Sequence, residues 1–93
     1  MITAIVLITA DVDKIPEVAE AITEIDGVTE VYSVTGDADL IAMVRVREHE
    51  QFHDVIAGTL NKVPGVLGTS THIAFRTYSR HDLESAFSLG LGD

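Results

Sequence analysis

A chain of 93 residues that is 46 % apolar and 23 % charged, with a net charge of −9, has the composition of one globular domain rather than of a disordered tract. It holds no cysteine, which excludes disulfides and thiolate metal sites, and its acidic balance argues against unaided binding to DNA or anionic lipid, since either draws on a surplus of Lys and Arg. No stretch approaches the roughly 18 apolar residues of a membrane span, and the apolar opening, with no basic residue before it and Asp11 and Asp13 close behind, is not a signal peptide, so the expected compartment is the cytoplasm.

Ile2 to Thr9 is a β-rich run. Asp11 or Asp13 can cap a helix that takes Pro16 in its first turn and ends near Asp26, with Ile15, Val18, Ala19, Ile22 and Ile25 on one face and Glu17, Glu20 and Glu24 toward water. Gly27 stops it. Val28 to Thr35 reads as a second strand, and a turn at Gly36, Asp37 and Ala38 leads to a more apolar strand over Asp39 to Arg47, making a hairpin. A second helix is predicted over Glu48 to Val63, burying Phe52, Val55, Ile56, Leu60 and Val63 and carrying Gly58 at a cost of roughly 1 kcal/mol against Ala. Pro64 and Gly65 end it. Val66 to Thr77, rich in Thr and Ser, is the fourth strand, and Asp82 can cap a short C-terminal helix with Leu83, Ala86 and Phe87 before Gly90 to Asp93 fray.

The chain nearly repeats itself: Gly65-Val66 follows Gly27-Val28 by 38 residues, and Ile2, Ala4, Val6 and Ile8 fall in register with Leu40, Ala42, Val44 and Val46. Two interlocked βαβ halves follow, hence an α+β, ferredoxin-like βαββαβ fold: a four-stranded antiparallel sheet with two helices on one face, residues 1–93 forming a single domain. Val6, Ile8, Val44 and Val46 serve the helix face. Their neighbours Ile5, Leu7, Ile41 and Met43, together with Ile73 and Phe75, leave the opposite face partly apolar, and such a face calls for a partner, most simply a second copy pairing through its sheet.

His49-Glu50-Gln51-Phe52-His53 spells the HExxH pattern of zinc peptidases. It opens a helix whose Phe52 the core requires, and a catalytic zinc needs a third protein ligand and a cleft, so the pair reads as two exposed histidines at a helix start and no metal or other cofactor is expected. Neither a nucleophile elbow nor a phosphate-cradling glycine pattern is present. Arg45 and Arg47 read as charges at an edge or rim. The turn Thr35-Gly36-Asp37-Ala38-Asp39 combines a permissive glycine, free N–H groups and two carboxylates, the equipment to hold an α-carboxylate and an α-ammonium together, although Gly and Asp also suit an ordinary hairpin.

Ile25-Asp26-Gly27-Val28, the turn Gly36-Asp37-Ala38-Asp39-Leu40, and Val63-Pro64-Gly65-Val66 leading to Thr69-Ser70-Thr71 resemble, in order and spacing, the effector domain of the Lrp/AsnC (feast/famine) regulators, the RAM domain, over Ile2 to about Tyr78. The resemblance implies a non-enzymatic module in transcription regulation that pairs through its sheets into rings, commonly octamers, and binds a small effector, usually an amino acid. It implies Gly36, Asp37 and Asp39 as ligand contacts, with Thr69, Ser70 and Thr71 as hydroxyl contacts from a neighbouring subunit. With no helix-turn-helix ahead of the first strand, the chain looks like a stand-alone member that acts through its own assembly or by joining full-length regulators, without contacting DNA directly. Ala38 stands where relatives often carry an aromatic residue, which implies a wider or differently specific pocket. Two other readings share the topology: a dimeric ferredoxin-like barrel enzyme, such as a small monooxygenase or isomerase with Tyr32, His72 or Tyr78 in its pocket, and an ACT-like regulatory domain that pairs sheets side by side.

Overall fold

A computed structural model describes residues 1–80 of the chain; the predicted C-terminal helix at Asp82 to Phe87 lies outside the described residues. Four strands, β1 (Ile2–Ala10), β2 (Val28–Ser33), β3 (Leu40–Val46) and β4 (Val66–Ile73), form one antiparallel sheet in the order β2-β3-β1-β4. The order places β1 and β3 in the centre, where side chains are covered from both flanks. One helix, α1 (Ile15–Thr23), follows β1, and a shorter helical segment follows β3. The α+β ferredoxin-like architecture read from the sequence is the one observed.

Period-2 alternation decides the core. Ala4, Val6, Ile8 and Ala10 of β1 and Leu40, Ala42, Val44 and Val46 of β3 are buried, as are Val18 and Ile22 of α1 and Phe52, Ile56 and Leu60 of the second segment. Because antiparallel partners share a face, Val6 opposite Ala42 and Ala4 opposite Val44 knit the two repeat halves into one apolar layer. The repeat is visible in the backbone too. Gly27 and Gly65 occupy equivalent positions and both take φ near +100°, a region that side chains with a Cβ rarely enter. At Gly65 the space is also closed, since a Cβ would stand 2.6 Å from Val18 Cγ2.

The helices depart from expectation in detail. A 3-10 turn at Val12–Lys14 precedes α1, and it is Asp11 that caps this turn, its carboxylate accepting from the Asp13 N–H at 3.0 Å. Past β3, the predicted sixteen-residue α-helix is replaced by a π turn over His53–Ala57 and a 3-10 turn over Leu60–Lys62. The cause sits at Gly58, whose N–H reaches five residues back to the His53 carbonyl at 2.9 Å. β4 is also shorter than predicted, ending at Ile73, with one further bond from Ala74 N–H to the Thr3 carbonyl at 2.9 Å. Its pairing with β1 shifts register between Thr9 and Ala10, and the resulting alignment sets Ile73 opposite Ala4. Ile73 therefore lies on the helix side of the sheet, and not in the outer patch expected from alternation.

Candidate functional site

The outer face of the sheet is built from two cross-strand rows. Tyr32, Ile41, Leu7 and Ser70 form one, and Glu30, Met43, Ile5 and His72 the other. The four central apolar side chains are half-buried, and Tyr32 at the β2 edge is 47 % exposed. Its hydroxyl donates to the Glu30 carboxylate; that bond, burial and the carboxylate's charge together hold the phenol above its usual pKa.

Where this face meets the β2–β3 turn, the chain forms an open pocket of about 330 Å³ lined by Leu7, Thr9, Asp37, Ala38, Gly68, Thr69 and Ser70. Three elements supply it. Leu7 and Thr9 come from the end of β1, directly opposite Ser70 and Gly68 of β4, so these four share the outer face. The turn contributes Asp37 and Ala38; it is closed by the Val34 N–H donating to the Asp39 carbonyl at 3.1 Å, so that 35–38 loop out beyond the bond, with Gly36 at φ +110°. Asp37 is exposed and, among the described residues, is the one charged side chain in the lining. A carboxylate beside an apolar wall and hydroxyl groups is suited to a ligand with an ammonium group, an apolar part and further hydrogen-bonding atoms.

The structure thus brings Asp37, Thr69 and Ser70 together and sets Gly36, Asp39 and Thr71 outside the lining. Asp39 serves the backbone instead. Its Oδ2 accepts from the Ala10 N–H at 2.8 Å while its own N–H donates to the Ile8 carbonyl at 2.9 Å, tying the turn to the end of β1. Thr71 pairs with Val6 and so faces the helix side, and the Thr69 hydroxyl donates to Asn61 Oδ1 at 2.7 Å. Ala38, expected to shape the pocket, is in its lining, whereas Leu7, Thr9 and Gly68 are lining residues that motif reading missed. Alternation along β1 already marks Leu7 and Thr9 as outward-facing, but only the β1–β4 register places Gly68 beside them.

The HExxH segment builds no comparable site. His49 packs edge-on against Phe52, ring centres 6.2 Å apart, and exposed His53 lies 3.7 Å from Asp54. Gln51 caps the segment, its Oε1 accepting from the N–H groups of Arg47 and Glu48, each at 2.9 Å. Among the described residues no three His, Cys, Asp or Glu side chains are grouped to hold a metal ion, and no helix is long and apolar enough to cross a membrane.

Residues 3–83 match the family profile of the Lrp/AsnC ligand binding domain. The HTH-type transcriptional regulator FL11 of Pyrococcus abyssi is 32 % identical over 75 residues, an alignment covering 81 % of this chain and 49 % of that protein. The chain thus spans about half the length of the curated relatives it matches. Among solved structures, TTHA0845 from Thermus thermophilus is 45 % identical with a TM-score of 0.81, the match covering 86 % of this chain and all of that one. A feast or famine regulatory protein from M. tuberculosis, solved in complex with L-methionine, is 26 % identical with a TM-score of 0.72, over 86 % of this chain and 54 % of its own.

Proposed function

We propose that this chain, which belongs to the Lrp/AsnC ligand-binding domain family, is a non-enzymatic sensor of a small molecule of the amino-acid class that serves transcription regulation. The observation carrying this reading is the pocket at the turn, where Asp37 is the sole charge among the described residues and Leu7, Thr9 and Ser70 surround it. An α-ammonium pairs with the Asp37 carboxylate, hydroxyl and turn N–H groups serve the α-carboxylate, and an apolar side chain rests on Leu7. The methionine-bound relative from M. tuberculosis supports the ligand class.

Residues 1–93 act as one domain and pair through the outer sheet faces, pairs assemble into a ring such as an octamer, and the chain acts by changing assembly state or by joining full-length regulators in mixed rings. The net charge of −9 supports action without direct contact between this domain and DNA or an anionic membrane, and the cytoplasm is its compartment in this reading. A ligand held where subunits meet stabilises the assembly by linkage, about 2.7 kcal/mol at a hundred times its dissociation constant. The test is a panel of the common amino acids, each scored for melting temperature and for assembly size by sedimentation. One or a few should raise the melting temperature by several degrees, and Asp37→Asn should remove that response; a flat panel in both readouts overturns the proposal.

A further inference from the structure

At the end of β3 away from the turn pocket, Arg45 and Arg47 line an open cavity of about 300 Å³ together with Asp26, Gln51 and the apolar Val46 and Val55. Its volume is that of a small-molecule site. The chain holds 15 acidic residues against 6 Lys and Arg, so carboxylates abound. Yet among the described residues neither guanidinium forms an ion pair or a side-chain hydrogen bond.

Both arginines are held by their backbones. The Arg45 N–H donates to the Gly27 carbonyl at 2.8 Å, and the Arg47 N–H donates to Gln51 Oε1 at 2.9 Å, an acceptor it shares with the Glu48 N–H. With its amide oxygen spent on these two bonds, Gln51 has its NH2 group left for a ligand, a donor only. Gly27, at φ +100°, lets the connection into β2 close against the cavity wall, where an added Cβ would stand 3.3 Å from Val55 Cγ2. Among the described residues Asp26 is the one carboxylate in the lining, so two positive charges face one negative, the reverse of the turn pocket with its single Asp37.

We infer that this cavity is a second ligand site, separate from the turn pocket, for a small organic anion that carries hydroxyl groups, a phosphate monoester or a hydroxy acid. A guanidinium fork matches the two-oxygen edge that carboxylates and phosphates share and gives paired, charge-assisted bonds. Gln51 adds a neutral donor, and Val46 and Val55 bound the apolar part of the ligand. An anion seated between Arg45 and Arg47 also relieves the repulsion of two like charges that no ion pair within the chain offsets. Asp26 sets the limit on the ligand. Its carboxylate accepts from a hydroxyl group but repels further negative charge, so a hydroxylated small anion suits the lining and a bare polyanion does not.

The test titrates the full, nitrogen-15-labelled chain with glycerol 3-phosphate and, separately, with malate at fixed ionic strength, with sodium chloride and glycerol as controls. Saturable shifts are expected in the amide signals of Asp26, Gly27, Arg45, Arg47 and the Gln51 side chain, with those of the turn pocket unmoved. Saturation by the phosphate ester alone or by the hydroxy acid alone identifies the source of the anion, and either supports the site. The double variant Arg45→Gln/Arg47→Gln removes two exposed charges and keeps both backbone bonds, and it should weaken binding at least about tenfold. Gln51→Glu keeps an acceptor for the Arg47 and Glu48 N–H groups while replacing the NH2 donor with a negative charge, and it should weaken binding as much with no loss of melting temperature. Asp37→Asn should bind these anions as the wild type does, so a failure of amino-acid sensing at the turn leaves this inference standing. Shifts that chloride reproduces, an absence of saturable shifts with both ligands, shifts centred on the turn pocket, or full binding by the double variant overturns it.

Discussion

Asp37 and Asp39 stand two residues apart in one turn, yet their surroundings assign them opposite work. Asp37 is exposed and bounds the pocket, whereas the partly buried carboxylate of Asp39 accepts a backbone hydrogen bond from Ala10, 29 residues away in sequence. A bond from an N–H to an ionised acceptor contributes about 1.5–3 kcal/mol, and its loss also strands the donor at the end of a central strand. Asp39→Ala should therefore lower unfolding free energy by about 2 kcal/mol in a urea titration. Asp37→Ala should change stability by less than about 0.5 kcal/mol, as exposed substitutions do, while abolishing the ligand response. Equal losses of stability in the two variants would show that the turn is held together in some other way. The sequence alone presents the two acids as one zwitterion cradle, because the bond that separates them depends on where β1 ends.

The second helical segment separates what periodicity records from what it does not. Phe52, Ile56 and Leu60, which helical spacing places in the core, are buried, since a spacing of four points side chains the same way in an α turn and in a slightly wider one. Which carbonyl each N–H finds leaves no trace in that pattern, and so the π turn is invisible to it. Gly58 reads in sequence as a helix defect that Ala would repair. In the fold, an added Cβ would stand 2.6 Å from the Asp54 carbonyl oxygen, a backbone atom that cannot swing aside. Gly58→Ala should thus destabilise by about 1–3 kcal/mol, the range for overpacking, in place of the gain of about 1 kcal/mol that helix propensity alone gives; thermal unfolding of the variant decides the sign. The misplacement of Ile73 has the same origin. Alternation fixes which residues of a strand share a face, but the irregularity between Thr9 and Ala10 fixes which face that is, and a slip of one residue exchanges them.

At the scale of the whole molecule, the described residues cover one sheet face and leave the other open, and the open one carries Ile5, Leu7, Ile41 and Met43 at its centre. Under the sheet pairing proposed above each copy also brings a net charge of −9, so apolar attraction at the faces would work against mutual repulsion of the chains. Salt shortens the reach of that repulsion, to about 10 Å at 0.1 M, and leaves the burial of side chains largely untouched. Association should consequently tighten as sodium chloride rises from about 0.02 to about 0.5 M, the reverse of what a contact made mainly of exposed ion pairs would do. Met43→Asp adds a charge in the middle of the face, where pairing would bury it without a counter-ion, at a cost of several kcal/mol. The variant should sediment as a monomer with an unchanged far-ultraviolet spectrum, because Met43 lies on the side of the sheet away from the core. Retained association at wild-type strength would mean that copies meet through another surface, and the proposed pairing through the sheet faces would fall.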